Sequence, residues 1–177
     1  MRHTTPQISK MVRDLALESY GDNGYLHDHV EYDVHGAFRA VRVFDGFAIK
    51  FARASYQAVQ NRAEWDTYRK FPESVKTVAA KPICISKCGR VMAIEAVTTT
   101  LRAAHRDDNR GGGQPEWWET EQTELCEFNE KLLALLTRDG GFSDDEIRTL
   151  MCDNHGNNIG VRENGELCWI DYAAYAE

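Results

Sequence analysis

The spacing of apolar positions changes period several times along the chain, and each change predicts an element. Ile8, Met11, Val12, Leu15 and Ser19 recur at helical spacing, so a helix is expected over Ile8–Tyr20, stopped at Gly21. From Val30 to Ala52 the period shortens. Glu31–Phe44 reads as two strands around Gly36, and Asp45-Gly46 supplies a tight turn into a third strand, Phe47–Ala52. Helical spacing returns over Ser55–Phe71, with Tyr56, Val59, Ala63 and Tyr68 as the expected buried stripe and Pro72 as the stop. Two more β-like runs, Ala80–Lys87 and Arg90–Val97, flank a Cys88-Gly89 turn, which brings the count to five strands and one helix after Ile8–Tyr20.

Beyond Val97 the pattern loosens. Thr98–Thr100 and Arg102–Trp118 form an expected connector, whose centre Asp107–Pro115 is polar and contains a glycine triplet, the signature of a lobe boundary or surface insertion. A helix is expected over Glu119–Thr137, with Leu125, Phe128, Leu132, Leu135 and Leu136 inward. Ser143 and Glu146 are spaced as a capping box ahead of Ile147 and Leu150, so a short helix leads towards Asp153. Finally, Asn158–Arg162 and Leu167–Asp171 are β-prone runs joined at Glu163-Asn164-Gly165-Glu166, a hairpin signal because Asn and Gly tolerate positive φ.

Composition narrows the class. At 177 residues the chain is expected to be one domain, or one domain in two lobes. With 42% hydrophobic and 28% charged residues it reads as an ordinary soluble globular protein. A formal charge of −7 argues against nucleic acid and anionic membranes as partners. No apolar run reaches spanning length and the first residues lack a signal-peptide core. Five cysteines without CxxC spacing suggest free thiols in a reducing cytoplasm.

Some residues carry candidate chemistry. Lys50 lies inside an apolar strand, where an ammonium either reaches solvent or needs an anionic partner. Glu64, on the following helix, is either exposed or reaches back to Lys50. In the last quarter, Asp153 is followed five positions later by Asn158 and thirteen beyond that by Asp171. The hairpin would fold Asp171 towards Asn158. One carboxylate can orient a hydroxyl while an amide oxygen and a second carboxylate hold a metal, the parts of a phosphoryl-transfer centre. The plainer reading of Asp153–Asn158 is a turn rich in Asp, Asn and Gly. His27-Asp28-His29 lacks a third ligand at a recognisable spacing and reads as loop histidines.

Taken in order (a glycine turn between strands, a strand lysine, a helix glutamate, an Asp-x4-Asn loop and a hairpin ending in Asp) the chain resembles the protein-kinase-like fold. It is most similar to small bacteriophage-encoded serine/threonine protein kinases. The resemblance implies an α+β, bilobal fold: an antiparallel β-sheet N-lobe with one main helix over residues 1–97, and a reduced, mainly helical C-lobe over 98–177. Val34-His-Gly-Ala-Phe-Arg-Ala-Val41 resembles the loop that covers the nucleotide, with Gly36 as its middle glycine, Phe38 as its tip and Val41 over the base. The resemblance further implies that Lys50 contacts the α/β-phosphates, that Glu64 is its helix partner, and that Glu95-Ala96-Val97 is the adenine-binding hinge, with Glu95 and Val97 as its ends. Asp153 matches the catalytic aspartate, and Asn158 and Asp171 match the metal ligands. His155 in the catalytic loop gives the Asp-x-His-x-x-Asn variant shared with aminoglycoside phosphotransferases.

ATP and Mg²⁺ are the implied cofactors. The implied partners are host bacterial proteins, phosphorylated in the host cytoplasm. His105-Arg106-Asp107 spells a similar triplet, but Gly112 stands where asparagine is required. Two glycines of the covering loop are replaced, by Val34 and Arg39, and six residues follow Asp171; small phage kinases are similarly short. Two other readings stay open: a catalytically weak or inactive kinase-like protein that binds and inhibits a host factor, and a small-molecule phosphotransferase.

Overall fold

The computed structural model describes residues 3–35, 38–101, 103–104, 116–139, 141–152 and 154–172. The fold is α+β, and the chain divides into two compact units. The first comprises Met1–Tyr68 and Lys81–Ala96, and the second comprises Arg69–Ala80 and Val97–Ala174. Among the described residues, no helix is long and apolar enough to cross a membrane.

The first unit begins with helix α1, Thr5–Glu18. It starts ahead of the expected Ile8 because the Thr4 amide donates to Gln7 Oε1 at 2.8 Å and Pro6 sits in the first turn, where its missing N–H costs nothing. Five strands follow in one antiparallel sheet: β1 (Val34–His35), β2 (Arg39–Phe44), β3 (Phe47–Ala52), β4 (Pro82–Ile85) and β5 (Val91–Glu95), in the spatial order β1-β2-β3-β5-β4. The Asp45-Gly46 turn sets the register of β2 on β3, with Gly46 at φ +86°, and pairs Phe44 with Phe47, Val41 with Lys50 and Arg39 with Ala52.

All six residues of β3 are buried. Successive side chains on a strand point to opposite faces, so Phe47, Ile49 and Phe51 share one face and Ala48, Lys50 and Ala52 the other. The first face packs with Ile8, Val12 and Ala16 of α1 and with Ala40, Val91 and Ala93. Covering both faces removes the alternation that a half-exposed strand would show. Tyr20, just past α1, ties this layer to the sheet: its hydroxyl donates to Ala52 O at 2.6 Å and to Arg90 O at 3.0 Å.

Helix α2, Ala58–Lys70, follows a single 3₁₀ turn at Ser55–Gln57. Its buried side corrects the expected stripe. Tyr56 and Val59 are 72% and 45% exposed, whereas Ala58, Asn61 and Glu64 are buried. Polar side chains face inward here because they satisfy backbone carbonyls and cations of the sheet, as described below.

The second unit contains α3 (Glu73–Val78), β6 (Thr99–Thr100), α4 (Glu116–Arg138), α5 (Asp144–Met151), β7 (Ile159–Val161) and β8 (Leu167–Trp169). Leu125, Phe128, Leu132 and Leu136 line the inner side of α4, and Ile147 and Leu150 that of α5. The α5 cap is the expected one: Glu146 N–H donates to Ser143 Oγ at 3.3 Å, and Ser143 N–H donates back to Glu146 Oε2 at 2.8 Å.

Three strands form a second antiparallel sheet, β6-β7-β8, whose β7–β8 turn puts Gly165 at φ +84°. Residues 69–80 join this unit because aromatic packing holds them there. Phe71 lies 5.7 Å from Trp169 and 5.3 Å from Tyr172, centroid to centroid. Ala80 N–H donates to Trp169 O at 2.8 Å, and the Tyr172 hydroxyl donates to Ala80 O at 2.6 Å.

Candidate functional site

In the first unit, register assembles a cluster of charged side chains. Arg39 and Lys50 lie on adjacent strands, and Arg39 sits two positions from Val41, the partner of Lys50. Diagonal neighbours of this kind share one sheet face and lie within reach of long side chains. Helix α2 offers Glu64 to that face. Lys50 Nζ donates to Glu64 Oε1 at 2.6 Å and to Oε2 at 2.9 Å, while Arg39 Nη1 donates to Glu64 Oε2.

Asn61, one turn before Glu64, braces the group. Its Oδ1 accepts from Arg39 at 3.5 Å, and its Nδ2 donates to Gly89 O at 3.0 Å and Arg90 O at 3.1 Å. Glu64 and Asn61 are fully buried, and Lys50 and Arg39 are 6% and 7% exposed. A carboxylate and two cations taken this far out of water are tolerable only with such pairing, because desolvating each unpaired ion costs several kcal/mol, on the order of 3–5 when one partner is removed.

This resolves the alternatives left by the sequence. Lys50 is buried with an anionic partner, and Glu64 is that partner. The fourteen-residue separation is closed by the strand, the 3₁₀ turn and two turns of helix. Arg39 and Asn61 were missed as members. Their signal was present: counting back from the Asp45-Gly46 turn puts Arg39 diagonal to Lys50, and Asn61 precedes Glu64 by one helical turn.

Other expected positions in this unit are more open. Phe38, directly before Arg39, is 45% exposed. Val41 is half-buried and pairs with Val34 on β1 as well as with Lys50 on β3. Gly36 lies outside the described residues. Glu95 ends β5, its side chain accepting from the Lys81 amide at 3.0 Å, and the chain passes from the first unit to the second between Ala96 and Val97.

In the second unit the hairpin forms as expected. Ile159 pairs with Trp169, and Ile170 N–H donates to Asn158 O at 2.9 Å, so Asp171 follows directly on the residue bonded to Asn158. The Asn158 amide donates to His155 O at 2.7 Å, which closes the loop ahead of β7. Asn158 is 9% exposed, and Asp171 is half-buried. His155 Nδ1 accepts from the Asn157 amide at 3.3 Å. Asn154 donates to Asn129 Oδ1 at 2.6 Å, which fixes the loop to α4.

An amide oxygen and a carboxylate carried on neighbouring hairpin positions are donors suited to a hard divalent cation. Gly160, between them in sequence, has no room for a side chain: a Cβ there would lie 2.5 Å from Val97 Cγ1 and 2.7 Å from Ile170 Cγ2. Asp153 and the triplet His105-Arg106-Asp107 lie outside the described residues. No group of three or more His, Cys, Asp or Glu suited to a metal occurs among the described residues, His27-Asp28-His29 included; the two histidines stack at 4.9 Å.

No protein-family model matches the chain, and no curated protein matches it either. Function therefore rests on the chemistry of these side chains.

Proposed function

We propose that the protein is an ATP- and Mg²⁺-dependent protein kinase of the small phage type, with a bilobal kinase-like fold, transferring the γ-phosphate of ATP to Ser or Thr of host bacterial proteins. The observation that carries the reading is the buried Lys50–Glu64 pair, a strand ammonium fixed by a helix carboxylate at 2.6 and 2.9 Å. Phosphoryl transfer asks little covalent chemistry of the protein and much positioning of charge. Lys50 is the cation for the α/β-phosphates and Glu64 orients it. Asn158 and Asp171 hold Mg²⁺, which when bound neutralises charge on the nucleotide phosphates. Asp153 orients the acceptor hydroxyl and accepts its proton, with His155 two residues on in the sequence.

The test is transfer of label from γ-labelled ATP, with Mg²⁺, to the proteins of a bacterial lysate, comparing wild type with Asp153→Ala after circular dichroism has matched their folds. Labelled bands that fall by at least about 100-fold in the variant are expected, the range for loss of a positioned acid–base group. Equal labelling by both proteins would refute the assignment of Asp153. No label from wild type would shift the function to host-factor binding without catalysis, the reading that the replacement of loop glycines by Val34 and Arg39 favours.

A further inference from the structure

Arg39 occupies a position where the kinase resemblance calls for glycine, and its side chain joins Lys50 on the carboxylate of Glu64. A glycine there serves by bringing a backbone N–H close to phosphate. An arginine cannot imitate that approach, but it brings a charge and a planar fork matched to phosphate oxygens. We propose that Arg39 is a second phosphate-binding cation, forming with Lys50 a two-headed seat for the adjacent phosphates of a nucleoside di- or triphosphate. The proposal rests on the nucleotide-binding part of the preceding reading and extends it to the phosphate count of the ligand.

Two features support this assignment. The two cationic heads converge by construction, since the β2–β3 register puts them on one sheet face and one carboxylate contacts both. Their geometry is fixed before any ligand arrives, because Asn61 holds Arg39 at 3.5 Å and is itself anchored to Gly89 O and Arg90 O. Preorganised donors of this kind bind without a further ordering cost.

The test is calorimetric titration of full-length wild type, Arg39→Gln and Arg39→Lys with tripolyphosphate, pyrophosphate, orthophosphate, ATP, ADP and AMP. Wild-type affinity is expected to rise with the number of phosphates in both series. Arg39→Gln should lose about tenfold on the di- and triphosphate ligands and under about threefold on AMP and orthophosphate, with Arg39→Lys recovering part of the loss. A purely structural arginine would lower all affinities together, so an unchanged ATP-to-AMP ratio in Arg39→Gln overturns the proposal. So does a wild-type affinity that ignores phosphate number, a result that stands even if Arg39→Gln fails to fold.

The two readings fail separately. Arg39-dependent binding of tripolyphosphate without any binding of ATP would retire the kinase and keep the seat. ATP binding with an Arg39-independent ratio would keep the kinase and retire the seat.

Discussion

Removing Glu64 and removing Lys50 should have very different costs, although the two residues form one ion pair. In Glu64→Gln, Arg39 and Lys50 both lose the carboxylate they share, at positions only 7% and 6% exposed. Removing the carboxylate that two buried cations share costs about 3–5 kcal/mol. In Lys50→Met the Arg39–Glu64 contact remains. The lost charge-assisted bonds are each worth about 1.5–3 kcal/mol, but the desolvation of an ammonium is removed and a side chain of similar length fills the space, so the net cost falls to about 1 kcal/mol.

Hydrogen exchange of peptides covering Phe47–Ala52 reads this unit directly. With tenfold in rate for each 1.4 kcal/mol, exchange should speed up by about 10²–10⁴-fold in Glu64→Gln and by about tenfold or less in Lys50→Met. A Glu64→Gln protein within about 1 kcal/mol of wild type would refute the two-cation account, as would a Lys50→Met protein equally destabilised.

Other expectations follow from single contacts. Gly160→Ala should cost about 1–3 kcal/mol by overpacking in urea unfolding, and Val97→Ala in the same chain should restore part of it, since the added Cβ meets Val97 Cγ1 at 2.5 Å but also Ile170 Cγ2 at 2.7 Å and Val97 Cβ at 2.8 Å; strictly additive costs would refute the Val97 contact. Tyr20→Phe should lose about 1–3 kcal/mol, because the Ala52 and Arg90 carbonyls lose a shared donor. Burial, partly opposed by Arg90, pushes the Tyr20 phenol well above its usual range, so an alkaline absorbance titration of wild type should leave Tyr20 protonated after exposed tyrosines ionise, and Tyr20→Phe should remove that late step. Hydrogen bonds from the Ser143 amide and then its hydroxyl hold the Glu146 carboxyl below its ordinary 4.5. A lowered folded pKa stabilises above the unfolded value and is lost as pH falls through the folded one. Amides at the start of α5 should therefore lose protection below about pH 4.5, and Ser143→Ala should flatten that dependence.

Much of the architecture was legible because local chemistry specified it. Asn164-Gly165 and Asp45-Gly46 fixed two hairpins, and each hairpin carried a candidate site residue into register: Asp171 beside the residue bonded to Asn158, and Lys50 opposite Val41. The capping pair Ser143 and Glu146 marked the start of α5. What escaped was structure made by long-range partners. Thr99–Thr100 is a strand only because Val161 and Gly160 pair with it. Pro72 was legible as the end of one helix, but the same residue precedes α3, whose Val75 and Val78 are buried in the second unit. The stripe of α2 was misjudged for a related reason. Apolar periodicity points to the buried side only when that side is apolar, and α2 turns Asn61 and Glu64 inward to meet cations and carbonyls supplied by strands distant in sequence.

The most direct test of the central claim is the affinity for ATP with and without Mg²⁺ in wild type, Lys50→Met and Asp171→Ala. The account predicts that Mg²⁺ strengthens ATP binding to wild type by at least about tenfold. Asp171→Ala should erase that gain while keeping Mg²⁺-free binding, and Lys50→Met should weaken binding under both conditions. Wild type that does not bind ATP, or an Asp171→Ala protein that keeps the full Mg²⁺ gain, would contradict it.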